Sequence, residues 1–298
     1  MEETVLKKYL KAGEIAKKAK VLAMKMVEPG VKIIEIAERV ENLIKEEGGK
    51  PAFPLNISIN NVAAHYTPDI NDTTVLKEGY LVKIDVGVHV DGYIADTAFT
   101  VCVGCETHKL IQAAKQTLEE FLKIVSPGKT VKELSEFVEK KVKEFGVNPV
   151  RNLAGHGLER YVQHAEPSIP NGGVNINTKL EKGKVIAMEI FTTDGIGFVK
   201  ESYPSLIYRY VADKPVRLRE SKVALRLARD EFEGMPFAKR WLANSIPLFK
   251  INLVLNELLS KGAIIDYPIL KERSGGLVAQ WEETIILEDE PIVTTKLE

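Results

Sequence analysis

The chain has little cysteine, with only Cys102 and Cys105 among 298 residues, and no excess of either charge. Two cysteines exclude a disulfide-dense scaffold and a four-cysteine zinc module. Lys and Arg number 41 against 42 Asp and Glu, which leaves a formal charge of −1. That balance supplies no general field for nucleic acid or an anionic membrane surface. No apolar run is long enough to span a bilayer. Met1 to Lys20 lacks the continuous apolar stretch and cleavage site of a secretory signal. Leu6, Leu10 and Ile15 fall among lysines at helical spacing there, so an amphipathic helix is expected. These absences lead to an expected cytoplasmic location and a monomer without nucleic-acid or membrane partners. Cys102, Cys105 and His108 spell C-x-x-C-x-x-H, but no fourth zinc ligand stands nearby. The expectation is two reduced thiols at a strand end.

Hydrophobic residues make up 45% of the chain, enough for a sizeable core. Helical periodicity covers about Glu3 to Met26 and stops at Glu28-Pro29-Gly30; a second helix runs from about Lys32 to Glu47. The plan then recurs, with helical spacing from about His108 to Val125, a break at Ser126-Pro127-Gly128 and a further helix ending at Gly146. A shift of 98 positions aligns Val27-Glu28-Pro29-Gly30 with Val125-Ser126-Pro127-Gly128. It also matches Glu35, Glu38, Val40 and Glu41 with Glu133, Glu136, Val138 and Glu139. At an offset of 104, Leu76, Gly79 and Asp85 meet Leu180, Gly183 and Glu189. Leu81 to Val90 and Val185 to Phe191 are apolar and β-branched, as strands are. Each repeat therefore reads helix, helix, strand, with a carboxylate at the matching place, and a site between the halves would receive one acid from each.

The sequence divides into 1–203, an inserted stretch 204–271 and a final 272–298. In the insertion, Ser221 to Glu233 and Leu248 to Lys261 have helical spacing; strand character resumes at Leu277 to Leu287. The fold class is α/β (α+β), two pseudo-symmetric halves interrupted by a helical subdomain.

Asp85 and Asp96 fall on the two arms of a hairpin that turns at Asp91-Gly92. Glu189 and Glu282 interrupt two other apolar strands. A carboxylate inside such a strand is costly unless it meets a cation or hydrogen-bond donors. A salt bridge would explain any one of the four, but the same strands offer no matching arginines. Two divalent ions would neutralise four carboxylates together. His156, flanked by Gly155 and Gly157, is the natural nitrogen donor, and one imidazole among oxygens suits Mn, Fe, Co or Zn. Such a pair of ions would acidify a water and polarise an amide carbonyl.

The order Asp, Asp, His, Glu, Glu resembles the pita-bread superfamily of methionine aminopeptidase, aminopeptidase P, prolidase and creatinase. Ala63-Ala64-His65-Tyr66-Thr67-Pro68, Asp91-Gly92-Tyr93-Ile94-Ala95-Asp96, Gln280-Trp281-Glu282 and the insertion look like a type 2 methionine aminopeptidase of archaeal form. The resemblance implies removal of the initiator methionine from nascent polypeptides whose second residue is small. It implies a winged-helix-like character for the insertion. It further implies that Asp96 and Glu282 bridge two metals, that Asp85 holds one, and that His156 and Glu189 hold the other. His65 and His164 would contact substrate and stabilise the tetrahedral oxyanion; Phe53 and Tyr267 would line the methionine pocket. His89 and His108 are expected to be structural. Three positions depart from the family pattern: Ile190, Glu283 and Glu166 stand where proline, histidine and glycine are usual. An added acid near the site could alter metal affinity or the pH optimum. The alternatives are an Xaa-Pro aminopeptidase or prolidase-like enzyme, and a non-catalytic binding protein on the same fold.

Overall fold

A computed structural model describes residues 1–297. Helix α1 (Glu3–Met26) buries Tyr9, Ala12, Ile15, Ala16, Ala19 and Ala23, one face at helical spacing. Its small residues let it lie close to the sheet. Helix α2 (Ile33–Glu46) follows a turn at Gly30, whose φ of +89° is the left-handed conformation that glycine accepts without strain. Short strands β1 (Lys50–Pro51), β2 (Asn56–Ile59) and β3 (Val62–Ala64) precede the hairpin of β4 (Leu81–Val90) and β5 (Tyr93–Cys102).

The second half repeats the frame. Helices α3 (Lys109–Ile124) and α4 (Val131–Glu144) lead to β6 (Asn148–Pro149), β7 (Ala154–Glu159), β8 (Val162–Pro170) and β9 (Val185–Thr193). The bounds of α4 lie 98 positions beyond those of α2, and β6 lies 98 beyond β1. Isolated bridges join Lys32 to Val75 and Thr130 to Lys179, equivalent pairs at the offsets of 98 and 104. The helix, helix, strand repeat is thus physical, and the fold is mixed helix and sheet as expected.

Strand β10 (Val199–Tyr210) then leads through α5 (Arg219–Arg226), β11 (Phe237–Ala238) and α6 (Leu248–Ser260) to β12 (Ile264–Glu272), β13 (Val278–Ile286) and β14 (Ile292–Val293). The main sheet runs β1-β4-β5-β13-β9-β7-β8, so β13 closes the seam between the two halves. One apolar cluster packs α1 and α2 on β4 and β5, and another packs α3 and α4 on β9 and β13. The stretch 204–271 is not helical throughout. It begins and ends in β10 and β12, which pair with each other and with β3 and β11 in a second sheet. Leu206, Ile207 and Tyr208 are buried there, and this apolar run is what makes the arm a strand. The helices beyond it have their own core, including Phe237, Leu242, Ile251, Leu255 and Leu258.

One expectation is corrected. Cys102 and Cys105 are joined as a disulfide rather than left as separate thiols. Gly104, at φ +72°, turns the chain after β5 so that the two Cα atoms stand 5.4 Å apart, within disulfide reach. His108 joins no cluster with them. It caps α3, its ring nitrogen accepting from the Leu110 N–H.

Glu41 of α2 ties the insertion to the first half. It accepts from the Leu55 N–H at 3.0 Å, from Trp241 Nε1 at 2.9 Å and from the Arg240 guanidinium. Arg240 also donates to Thr67 Oγ1 and to the Pro68 carbonyl. Both charged groups are buried, so removing one leaves the other uncompensated. Glu41→Ala is expected to cost about 3–5 kcal/mol of stability. Chemical denaturation would measure it, and a change of only a few tenths would show that the pair does not hold the insertion.

Candidate metal centre

Asp91 and Gly92, at φ +51° and +85°, form the tight turn that fixes the β4–β5 register. Gly87 lies opposite Asp96 and Asp85 opposite Ala98, so both aspartates occupy one face. Ala98 is also the partner of Glu282, and Glu282 the partner of Glu189. A straight row thus crosses four strands, from Asp85 through Ala98 and Glu282 to Glu189. His156 pairs with Ala187, two residues from Glu189, and so joins the same face. All five expected ligands line one cleft.

Asp96, His156 and Glu282 each offer a ligand atom within 4.8 Å of the others. Asp85 and Glu189 are tied in through the Gln280 amide. Its Nε2 lies 3.4 Å from Asp85 Oδ2, 3.2 Å from Glu189 Oε2 and 3.3 Å from Glu282 Oε2. His156 Nε2 stands 3.9 Å from Asp96 Oδ2, while its Nδ1 faces the Gly157 carbonyl oxygen at 3.3 Å. A proton on Nδ1 leaves Nε2 as the ligand atom, the usual way a histidine is oriented on a metal. The flanking glycines are necessary. A Cβ on Gly155 would meet Met188 Sδ at 2.6 Å, and one on Gly157 the Glu166 carbonyl oxygen at 2.3 Å.

Burial pushes the Asp85 carboxyl up to about 7, against the opposing Gln280 amide. It raises Asp96, Glu189 and Glu282 well above the usual carboxylate range, with mutual repulsion adding to it. His156 is lowered to about 4 by burial and is neutral near pH 7. Asp85 Oδ1, Asp96 Oδ1 and Glu282 Oε1 are buried without a hydrogen-bond partner among the described residues. Orphaned oxygens on three acids beside a neutral imidazole are a donor set that a hard divalent cation satisfies.

His65 and His164 border the same cleft, separated by Tyr267, whose ring centroid lies 5.6 Å from the first and 6.4 Å from the second. His65 adopts φ +63°, an uncommon conformation for a residue with a side chain, and its Nδ1 lies 3.0 Å from the Pro268 carbonyl oxygen. His164 packs edge-on against His156 at 4.5 Å. Phe53 lies over Gly87, where a Cβ would come within 2.2 Å of the ring.

The departures resolve by strand alternation. Ile190 and Glu283 point to the opposite face from Glu189 and Glu282. Ile190 is buried in the core under α3. Glu283 is held by Lys20 Nζ at 2.7 Å and by the Thr295 hydroxyl, so its charge is compensated away from the cleft. Glu166 is exposed and accepts from the Ser168 N–H. His89 is buried, accepts from the Gly92 N–H and faces Glu233, clear of the cleft. Sequence reasoning missed Gln280, Gln163 and Lys20 as contributors. Alternation could have found Gln280, two residues before Glu282 on the same face. Lys20 betrayed itself as a lysine in an otherwise alanine-rich helix face.

Residues 7–243 match the model of metallopeptidase family M24. The chain belongs to that family. The methionine aminopeptidase of Pyrococcus horikoshii is 48% identical over 97% of this chain and 98% of its own. That of Archaeoglobus fulgidus is 44% identical over 99% and 100%. Among solved structures, the Thermotoga maritima methionine aminopeptidase superposes with a TM-score of 0.73 at 22% identity, covering 100% of this chain and 98% of that one. A thermophilic Arx1 superposes at 0.87 with 19% identity, covering 99% and 91%. Likeness at such identities establishes the shared fold. Family membership implies a divalent-metal cofactor, which the donor set fits.

A pH dependence follows for the metal-free protein. Asp85 is raised from its ordinary 3.8 to about 7. The unfolded chain therefore releases this proton first, and stability is lost as pH rises through that window. A metal needs the ionised ligands, so its stabilisation should grow over the same range. Thermal unfolding with and without added Mn²⁺, at steps from about pH 4 to pH 8, tests this. A metal effect independent of pH would contradict the cluster.

Proposed function

We infer that this chain removes N-terminal methionine from polypeptides whose second residue is small, with two divalent ions held by Asp85, Asp96, His156, Glu189 and Glu282. The observation that carries the reading is one cleft in which these five side chains, buried carboxylate oxygens without partners, and an aromatic-lined recess lie together. The close methionine aminopeptidase relatives over nearly the full length support the same substrate. Four carboxylates would balance the charge of two divalent ions, and Asp96 and Glu282, which lie with His156 within 4.8 Å of one another, would be among the residues that hold them. Mn, Fe, Co and Zn all suit the donor set. When bound, the ions would polarise the peptide carbonyl and acidify a water.

The chain's own residues bind and orient. Phe53, Ile207 and Tyr267 form the wall against which an unbranched thioether side chain would lie. Gln280 orients three of the carboxylates. Burial keeps His65 neutral, and a carbonyl oxygen beside Nδ1 places its proton there, leaving Nε2 as an acceptor. His65 therefore suits an N–H of the substrate. The His164 ring is lowered by its surroundings, then by His156, His65 and Arg209, and no described protein hydrogen bond fixes its tautomer. It is free to present an N–H to the carbonyl oxygen as negative charge develops. The two histidines thus divide the tasks of holding the amine side and stabilising the oxyanion. No described helix is long and apolar enough to cross a membrane.

Peptides beginning Met-Gly, Met-Ala and Met-Ser should be cleaved while Met-Lys, Met-Leu and Met-Trp stay nearly inert, because a bulky second residue misplaces the scissile carbonyl. Indifference to the second residue would leave a general aminopeptidase, and preference for Ala-Pro-Ala an Xaa-Pro enzyme. His164→Ala should lower kcat about 10²–10³-fold with a modest change in KM. Unchanged turnover would make that histidine structural. Exhaustive chelation should abolish hydrolysis; full activity after verified metal removal would sink the reading.

A further inference from the structure

The side-chain recess does not end at its apolar wall. A second cavity of about 120 Å³ adjoins it, lined by Tyr161, Gln163, His164, Arg209, Met235, Pro236 and Tyr267. Gln163, His164, Pro236 and Tyr267 line the cleft of the four acids and His156 as well, so the two spaces adjoin and share these four side chains. Arg209 follows Ile207 by two residues on β10 and so faces the same way; Ile207 itself pairs with Tyr267.

Arg209 is an unusual lining for a methionine site. Its Nε is buried and has no hydrogen-bond acceptor among the described residues. A guanidinium cannot shed its charge by losing a proton. The side chain as a whole is only part-buried, so the unpartnered donor is this one N–H, which a ligand oxygen would satisfy. Its charge is felt at both His164 and Tyr267, which places it at the edge of the substrate space. Gln163 adds a second polar side chain to the same wall. The thioether of methionine is only a weak acceptor and leaves these donors poorly satisfied.

We propose that Arg209 lets this pocket take N-terminal residues of methionine length bearing an acceptor oxygen near the tip, methionine sulfoxide above all, in addition to methionine. The proposal rests on the aminopeptidase reading. The sulfoxide keeps the length and flexibility of methionine, so Phe53 and Tyr267 can hold its stem while its oxygen accepts from Arg209. The reaction itself is unchanged. Water adds across the scissile C–N bond, releasing the free amino acid sulfoxide and the shortened peptide, with no redox step.

The test uses the full-length, metal-loaded protein and three peptides that differ only at the first residue: Met-Ala-Ser, norleucine-Ala-Ser and methionine sulfoxide-Ala-Ser. Norleucine has the shape of methionine without an acceptor. Wild type should cleave the sulfoxide peptide, and Arg209→Leu should lower the kcat/KM ratio of sulfoxide to norleucine about 10- to 100-fold. Inhibition by free L-methionine sulfoxide against L-norleucine gives a second reading, in which the wild-type preference for the sulfoxide should vanish in Arg209→Leu and in Arg209→Met. A sulfoxide peptide left intact while the other two are cleaved would overturn the proposal and spare the enzyme reading. An unchanged ratio in the variants, or an equal loss for all three peptides, would also overturn it, since Arg209 would then serve the shared backbone or nothing. Failure to cleave even Met-Ala-Ser would sink the aminopeptidase reading, and this proposal with it.

Discussion

Unpaired carboxylates crowded into one low-dielectric cleft are the constraint around which the rest of the structure is arranged. The chain shows how it treats a buried acid that is merely structural. Glu283 is given Lys20, Glu41 is given Arg240, and Glu272 accepts from the backbone N–H groups of Ile196, Ser274 and Gly276. Those donors hold Glu272 below the ordinary carboxylate value despite its burial. Among the described residues, Asp85, Asp96, Glu189 and Glu282 receive no such Lys or Arg; Asp85, Glu189 and Glu282 share the Gln280 amide, and Asp96 has only the neutral His156 ring beside it. Their raised pKa values are the electrostatic signature of a missing positive charge. The same fold thus contains its own control, and the contrast is what makes a metal site the physical reading of the cluster.

The pseudo-symmetry explains how the acids came to face each other. Each half brings a carboxylate to the same position, Asp85 in one and Glu189 in the other, and β13 is laid between them with Glu282 in register. Symmetry alone would give a site of equal halves. The asymmetry enters through the β5 arm, which adds Asp96 to the first half, and through β7, which adds His156 to the second. His65 and His164 are also near-equivalents across the repeat, yet only His65 is pinned by a carbonyl. One repeated frame therefore supplies two histidines of different hydrogen-bonding character.

Much of this was legible in the residues. Helix bounds followed from Pro-Gly and Gly breaks, and the hairpin from Asp91-Gly92. The acids stood out because charge inside a β-branched strand demands an explanation. What stayed hidden depended on contacts between distant segments. Lys20 and Glu283 are 263 positions apart, and no local pattern links them. The disulfide was read as two thiols because C-x-x-C spacing does not reveal how Gly104 turns the chain. The β10 arm was hidden by its exposed first half, Lys200 to Pro204, whose polar and proline content masks a strand until its partner β12 is seen.

The division of labour between the two sheets has a consequence for specificity. The acids and His156 proposed as ligands belong to the main sheet, while Ile207, Arg209 and Tyr267, proposed to line the substrate space, belong to β10 and β12. On the proposed reading, a change on the second sheet would alter which side chain is accepted without disturbing the register that aligns the acids. The coupling between the sheets runs through β3, which carries the chain to His65, and through the buried Glu41–Arg240 pair. His65 sits where the two meet: it follows β3 of the second sheet, its ring is held by Pro268 of β12, and the next residue, Tyr66, accepts from the Ile57 N–H of β2, which pairs with β4 of the main sheet. A substrate that reaches both sheets at once would be positioned by both, and the strained backbone at His65 is where that joint is made.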